Sequence, residues 1–419
     1  MQDITVKPSS LRRWQYIVVF LCACAILIAR RPDGLFHAQF YAEDGKVWFA
    51  DAYNMGWWSA LGRPWAGYFQ TLPRLGAALA LLVPLSRAPL LLNVLSLVIQ
   101  ALPVSLLLAL RSSAWGSLRV RTLLAATYLL LPNCSEVSYG ISPLQWQLAL
   151  NAFLLMVALT PKSIAGRYLD ISITTLCGLT GPFCIFLLPI AIFLAWIRRD
   201  RWRWVSVGIF AACCLVQAWG LLVVNRAVRP DYVLGASVSS LARILAGQVY
   251  LGTLIGSNAL AYHPGTRLSI FLFAVAICGT TIVIVSFIQS CLEMRLFLLF
   301  SFVLLAASLV SPIVHARPGV PVWELLASAG GIHYWFLPTL AFAWCVVYWF
   351  NSRVLILKIV AGYLLFFLSI GIVRDFRQPA FHDLHFSDYA ARFEAAPPGS
   401  AVTIPENPDG WSMILVKHP

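Results

Sequence analysis

Apolar runs of about 16 to 25 residues recur along the whole of this 419-residue chain, and they constrain its fold more than any short motif does. With 60% hydrophobic and 11% charged residues, the chain is expected to be an all-α polytopic membrane protein. The first run, residues 14–29, is followed by no small-residue cleavage site, so it reads as a retained anchor.

The net charge of +13 does not point to nucleic acid, because the basic residues stand in short clusters between the apolar runs. Topology explains them instead. Lys7, Arg12 and Arg13 precede the first span and place the N-terminus in the cytoplasm. Arg111, Arg119 and Arg121 mark the same side, as do Lys162 with Arg167 and the cluster Arg198, Arg199, Arg201 and Arg203.

Spans are expected over residues 14–29, 88–110, 123–131, 144–159, 204–224, 268–290, 296–313, 335–350 and 354–373, and residues 171–197 go out and back. Gly181-Pro182 breaks that run and predicts two half-helices forming a hairpin. The count is about eleven crossings, with an extracytoplasmic C-terminus. Residues 241–262 are placed outside or dipping into the outer leaflet.

With this assignment every acid except Asp3, Asp170, Asp200 and Glu293, and all seven histidines, fall on the outer side. Chemistry is therefore expected there. The first outer loop, residues 30–87, carries Tyr41-Ala42-Glu43-Asp44-Gly45, two carboxylates beside lipid. Adjacent residues point in different directions, so Glu43 and Asp44 are alternatives for one chemical group, a base that takes a proton from an attacking hydroxyl.

Residues 46–58 should form an interfacial helix with Trp48, Phe49, Trp57 and Trp58, and residues 71–85 a re-entrant or surface-lying one. Arg74 lies in the latter, where a partner such as Asp44 or a phosphate is expected. Arg226, Arg229, Arg243 and Arg267 are weaker candidates for the same task. Glu136 and Trp146 suit a sugar pocket, and His333-Tyr334-Trp335 could line the cavity or belong to an aromatic belt.

Nine of the ten cysteines lie in or beside apolar runs and Cys134 is alone in a loop, so no disulfide framework or zinc spacing follows. No phosphate-cradling glycine loop, Rossmann glycine run, zinc-protease helix or serine nucleophile elbow is present. No cytoplasmic segment is large enough to hold a nucleotide sugar. Residues 374–419 are expected to form a small extracytoplasmic tail, with Ser387 capping a short helix through Ala395 and a hairpin around Asn407-Pro408-Asp409-Gly410.

The ordered set Phe40-Tyr41-Ala42-Glu43-Asp44-Gly45, Gly67-Tyr68 with Pro73-Arg74, Pro132-Asn133 with Glu136 and Trp146, and Gly178-Leu179-Thr180-Gly181-Pro182 resembles a bacterial cell-envelope branch of the GT-C glycosyltransferases. The resemblance covers most of the chain, residues 1–373 forming the transmembrane domain. It implies single displacement at an anomeric carbon with Asp44 or Glu43 as base. The donor would be a polyprenyl-phosphate sugar, bound through Arg74, Tyr68, Arg226, Arg229, His333 and Tyr334. The acceptor would be an envelope glycan or lipid, and the site the bacterial inner membrane.

Related enzymes often have an arginine where this chain has His333. Some use a divalent metal, and no further acidic cluster here demands one. A flippase for lipid-linked sugars, or an O-antigen-type polymerase or ligase, would fit the same polytopic form.

Overall fold

Inside an apolar layer a chain closes its backbone hydrogen bonds most simply within helices, and helices make up most of this protein. The computed structural model describes residues 12–138, 140–224, 233–257, 266–313, 319–328 and 331–419. Helix α1 (Arg13–Arg30) leads to a first loop with α2 (Asp33–Phe36), a π-helical turn (Asp44–Phe49), α3 (Ala50–Met55), α4 (Trp57–Leu61) and α5 (Thr71–Ala80). Then come α6 (Ala88–Leu108), α7 (Leu118–Leu129), α8 (Leu144–Val157), α9 (Ile164–Gly178), α10 (Phe183–Arg198) and α11 (Arg201–Trp219).

A composite helix follows, α12 (Val238–Arg243) running through a π-helical stretch into α13 (Gly252–Ile255). The bundle is completed by α14 (Thr266–Gln289), α15 (Leu292–Val310), α16 (Val322–Ser328), α17 (Ile332–Phe350) and α18 (Leu355–Asp375). The tail adds α19 (Phe386–Ala395), β1 (Ala401–Glu406) and β2 (Trp411–Val416).

Local chemistry fixes several of these boundaries. The Asp200 side chain accepts from the Trp202 amide at 3.0 Å and starts α11 directly after Arg199, which turns the chain with φ of 47°. Ser163 caps α9 by accepting from the Gly166 amide. Gly181-Pro182 separates α9 from α10 as expected, and the Gly181 amide donates to the Phe69 carbonyl.

Among the described residues, six helices are long and apolar enough to cross a membrane, or seven if α16 and α17 are one bent span. That falls short of the eleven crossings expected. The difference lies mainly in short helices: α7, α8, α9 and α10 have 12, 14, 15 and 16 residues, roughly 18 to 24 Å. Conversely Val238–Ile255, expected outside or dipping, is long and apolar enough to cross. Both of its flanks are nonetheless tied to one end of the bundle. The Val233 and Leu234 carbonyls accept from Val322 and Trp323, and the Ser257 amide donates to Asp375 at the end of α18.

That end also carries the first loop, residues 130–143 and the tail. The opposite end gathers the turns after α6, α8, α10, α14 and α17. There Arg111 makes a two-pronged bond to Asp170 at 2.9 and 2.7 Å, Arg198 pairs with Glu293, and Thr160 bonds Asp200. Just inside that end Trp115 packs edge to face against Phe153, Phe297 and Trp344 in the buried core, and the Phe297 and Trp344 rings lie tilted 4.5 Å apart.

Candidate active site

The first loop turns into its π-helical segment through Ala42, which holds a left-handed φ of 51°. The tail stabilises that turn. The Ala42 amide donates to the Asn407 carbonyl, and the Asn407 amide donates to the Phe40 carbonyl at 3.2 Å. The turn drives Asp44 inward until it is 2% exposed.

Its two oxygens are then met by the loop after α7. The Ile141 amide donates to Oδ2 at 2.9 Å, while the Ser142 amide and hydroxyl donate to Oδ1 at 3.0 and 2.7 Å. Trp48, one turn further along the segment, donates its indole N–H to the same Ser142 hydroxyl at 2.6 Å. Two glycines make the approach possible. A side chain at Gly140 would overlap Asp44 Oδ2, and one at Gly45 would overlap Glu406 Oε2.

Burial pushes the Asp44 carboxyl up to about 7; the three hydrogen bonds oppose the shift and the neighbouring Glu43 adds to it. Glu406, at the end of β1, is also 2% exposed and accepts from the Lys46 amide at 3.1 Å. Burial first, and then the charge of Asp44, raise its carboxyl to about 9, against the opposing Lys46 amide and ammonium. Glu43 differs from both. It is half-buried and has no hydrogen-bond or ion-pair partner among the described residues.

The residues anticipated from sequence fall into two connected groups. Arg74 is buried, but its partner is Asp51, at 2.8 Å, and not Asp44 or a free position awaiting phosphate. Its guanidinium also lies over the Trp48 ring, and Asp51 is shared with Arg63 at 3.8 Å. Tyr68 closes a tight turn through paired backbone bonds with Trp65.

In the second group Glu136 Oε2 receives the His333 amide at 3.2 Å and lies 2.9 Å from His333 Nδ1. Trp146 stands beside both His333 and Tyr334, at ring distances of 5.9 and 6.0 Å. The Tyr334 hydroxyl is held by the backbone of Ile313. The loop of residues 135–142 joins the groups, carrying Glu136 at one end and the Asp44 contacts at the other. Arg226 and Arg229 lie outside the described residues.

Sequence reasoning missed Asp51, Ser142 and Glu406, and also Arg31 at the end of the first helix. Arg31 pairs with Asp33 at 3.5 Å and lies under the Phe381 ring at 3.8 Å. It lines a small open groove, with a cavity volume of about 50 Å³, between α1 and α6. Leu27, Ile28 and Leu97 form the apolar part of its wall, Gln100 and Arg31 the polar part, and Gly140 the part behind which Asp44 sits. Among the described residues no three of His, Cys, Asp and Glu converge to hold a metal ion.

Comparison with known proteins returned no match, either to a protein-family model or to a curated sequence. The geometry of the site is what describes it.

Proposed function

We propose that this protein is a membrane glycosyltransferase of the GT-C kind that moves one sugar from a polyprenyl-phosphate donor to an envelope glycan or lipid. The observation that carries the reading is the amphiphilic groove beside Arg31, with the Asp44 carboxyl behind its Gly140 wall. A lipid-linked phosphate has the same division: an apolar chain that suits Leu27, Ile28 and Leu97, and an anionic group that suits Arg31.

In the reaction the acceptor oxygen bonds to the anomeric carbon as its proton passes to a first-loop carboxylate. The bond from that carbon to the phosphate oxygen breaks, and its electron pair leaves on the phosphate, with inversion. The candidates for that base are Asp44, whose burial brings its proton affinity close to neutral pH, and the half-buried Glu43 beside it. The distribution of charge supports an extracytoplasmic site in the bacterial inner membrane, with both the first loop and the tail on that face.

The test is incubation of purified protein in detergent with a panel of radiolabelled polyprenyl-phosphate sugars. Transfer or donor hydrolysis is expected for at least one, with loss of about two to four orders of magnitude in Asp44→Asn. If Glu43→Gln is the variant that loses turnover, the base is Glu43. No turnover with any donor, or lipid movement across liposomes without a new glycosidic bond, overturns the reading.

A further inference from the structure

We propose that the C-terminal tail supplies Glu406 to this site as a positioning residue, a carboxyl kept as the neutral acid that seats the tail against Gly45 and leaves the negative charge to the first-loop carboxylates. It rests on the reading that Glu43 and Asp44 are the working groups. Three observations lead to it.

Glu406 comes from 360 residues away to accept from the Lys46 amide, and it fills the space that a side chain at residue 45 would need. Its second oxygen, Oε1, is buried without a hydrogen-bond partner among the described residues, a costly state for a full negative charge. The same stretch of chain is anchored on the first loop, through Asn407 to Phe40 and Ala42, so Glu406 cannot withdraw without undocking the hairpin.

The charged groups around Glu406 are Glu43, Asp44 and Lys46 on the first loop. On the tail, His382 and Asp409 pair with each other at 3.1 Å, and the His382 carbonyl accepts from Asn407. Two carboxylates outweigh one ammonium whose charge lies over the Trp411 ring at 4.9 Å. A third negative charge would be repelled, and a proton on Glu406 removes it. The rise of the Glu406 carboxyl to about 9 agrees with this arrangement.

A carboxyl whose proton is held more tightly in the folded state contributes stability at low pH, and that contribution is lost as pH rises towards its folded value. The experiment is thermal unfolding of the full-length protein in detergent from about pH 5 to about pH 10, for wild type, Glu406→Gln and Asp44→Asn. Between pH 7 and 9 the wild-type unfolding constant should grow by about 100-fold, while Glu406→Gln stays flat over that window.

Asp44→Asn should move the Glu406 transition to lower pH, a coupling that a residue acting only as filler would not show. Superimposable wild-type and Glu406→Gln profiles overturn the proposal. Should Glu406→Gln fail to fold, infrared spectra of the wild type decide: a protonated-carboxyl band that persists at neutral pH and fades near pH 9 supports it, and absence of that band overturns it. None of these readouts needs a donor, so a protein without transferase activity would leave this result standing.

Discussion

Asp44 carries two demands that pull against each other. Three donors from Ile141 and Ser142 favour its ionised form, and burial favours the neutral one. Burial wins and pushes the carboxyl up to about 7. A base works when ionised, so the rate should rise through pH 7 and level off above it. A kcat/KM profile that is already flat at pH 6 would rule Asp44 out as the base. Stability runs the other way: the contribution of the Asp44 proton is present below the ordinary carboxylate range and is lost as pH climbs through 7.

Ser142→Ala removes one donor to Asp44 and also strands the Trp48 indole N–H. It should cost about 1 to 3 kcal/mol and move the activity midpoint upward. Glu43 and Asp44 were legible in the sequence because polar residues are rare in so apolar a chain. Glu406 was not, since its pairing with the Lys46 amide spans 360 residues and leaves no periodic trace.

At the scale of the element, α5 shows why an arginine in an apolar helix is not by itself a ligand site. Its sequence announces that Arg74 needs an anion, and the nearest anion is supplied by α3, as Asp51. The pair is unequal. Arg74 has a side-chain exposure of 1%, whereas Asp51 has 23% and keeps Arg63 as a second partner. Asp51→Asn would leave a buried guanidinium uncompensated and should cost about 3 to 5 kcal/mol. Arg74→Met leaves Asp51 with solvent and Arg63, and should cost clearly less in the same thermal unfolding measurement. Equal losses, or a greater one in Arg74→Met, would mean that charge burial is not what holds α5 to α3.

The same scale explains why a count by length and composition stays below eleven among the described residues. Hydropathy reports how apolar a run is, but α7 to α10 are held short by the loops they serve, and their packing against longer neighbours is not written in their own composition. Turn chemistry travels better from sequence to structure. The hairpin at Asn407-Pro408-Asp409-Gly410 and the break at Gly181-Pro182 both stand where their residues place them.

For the whole molecule the decisive question is which end faces the cytoplasm. At the Arg198 end Asp170 and Glu293 are each bound to an arginine, and Asp200 is used by Thr160 and the Trp202 amide. Arg119, Lys162, Arg167, Arg199, Arg201 and Arg353 remain exposed there. The surplus charge at that end is therefore positive. Such charge is retained on the cytoplasmic side. Alkaline phosphatase, which is active only after export, should then be active when fused after Pro419 and inactive when fused at Arg199 or Arg353. Activity at the two arginine turns would put Asp44 in the cytoplasm. The groove beside Arg31 would then face the leaflet opposite to the one that presents an exported lipid-linked sugar, and the proposed reaction would lose its donor. The fusion experiment thus tests the chemistry through the charge distribution alone, before any substrate is known.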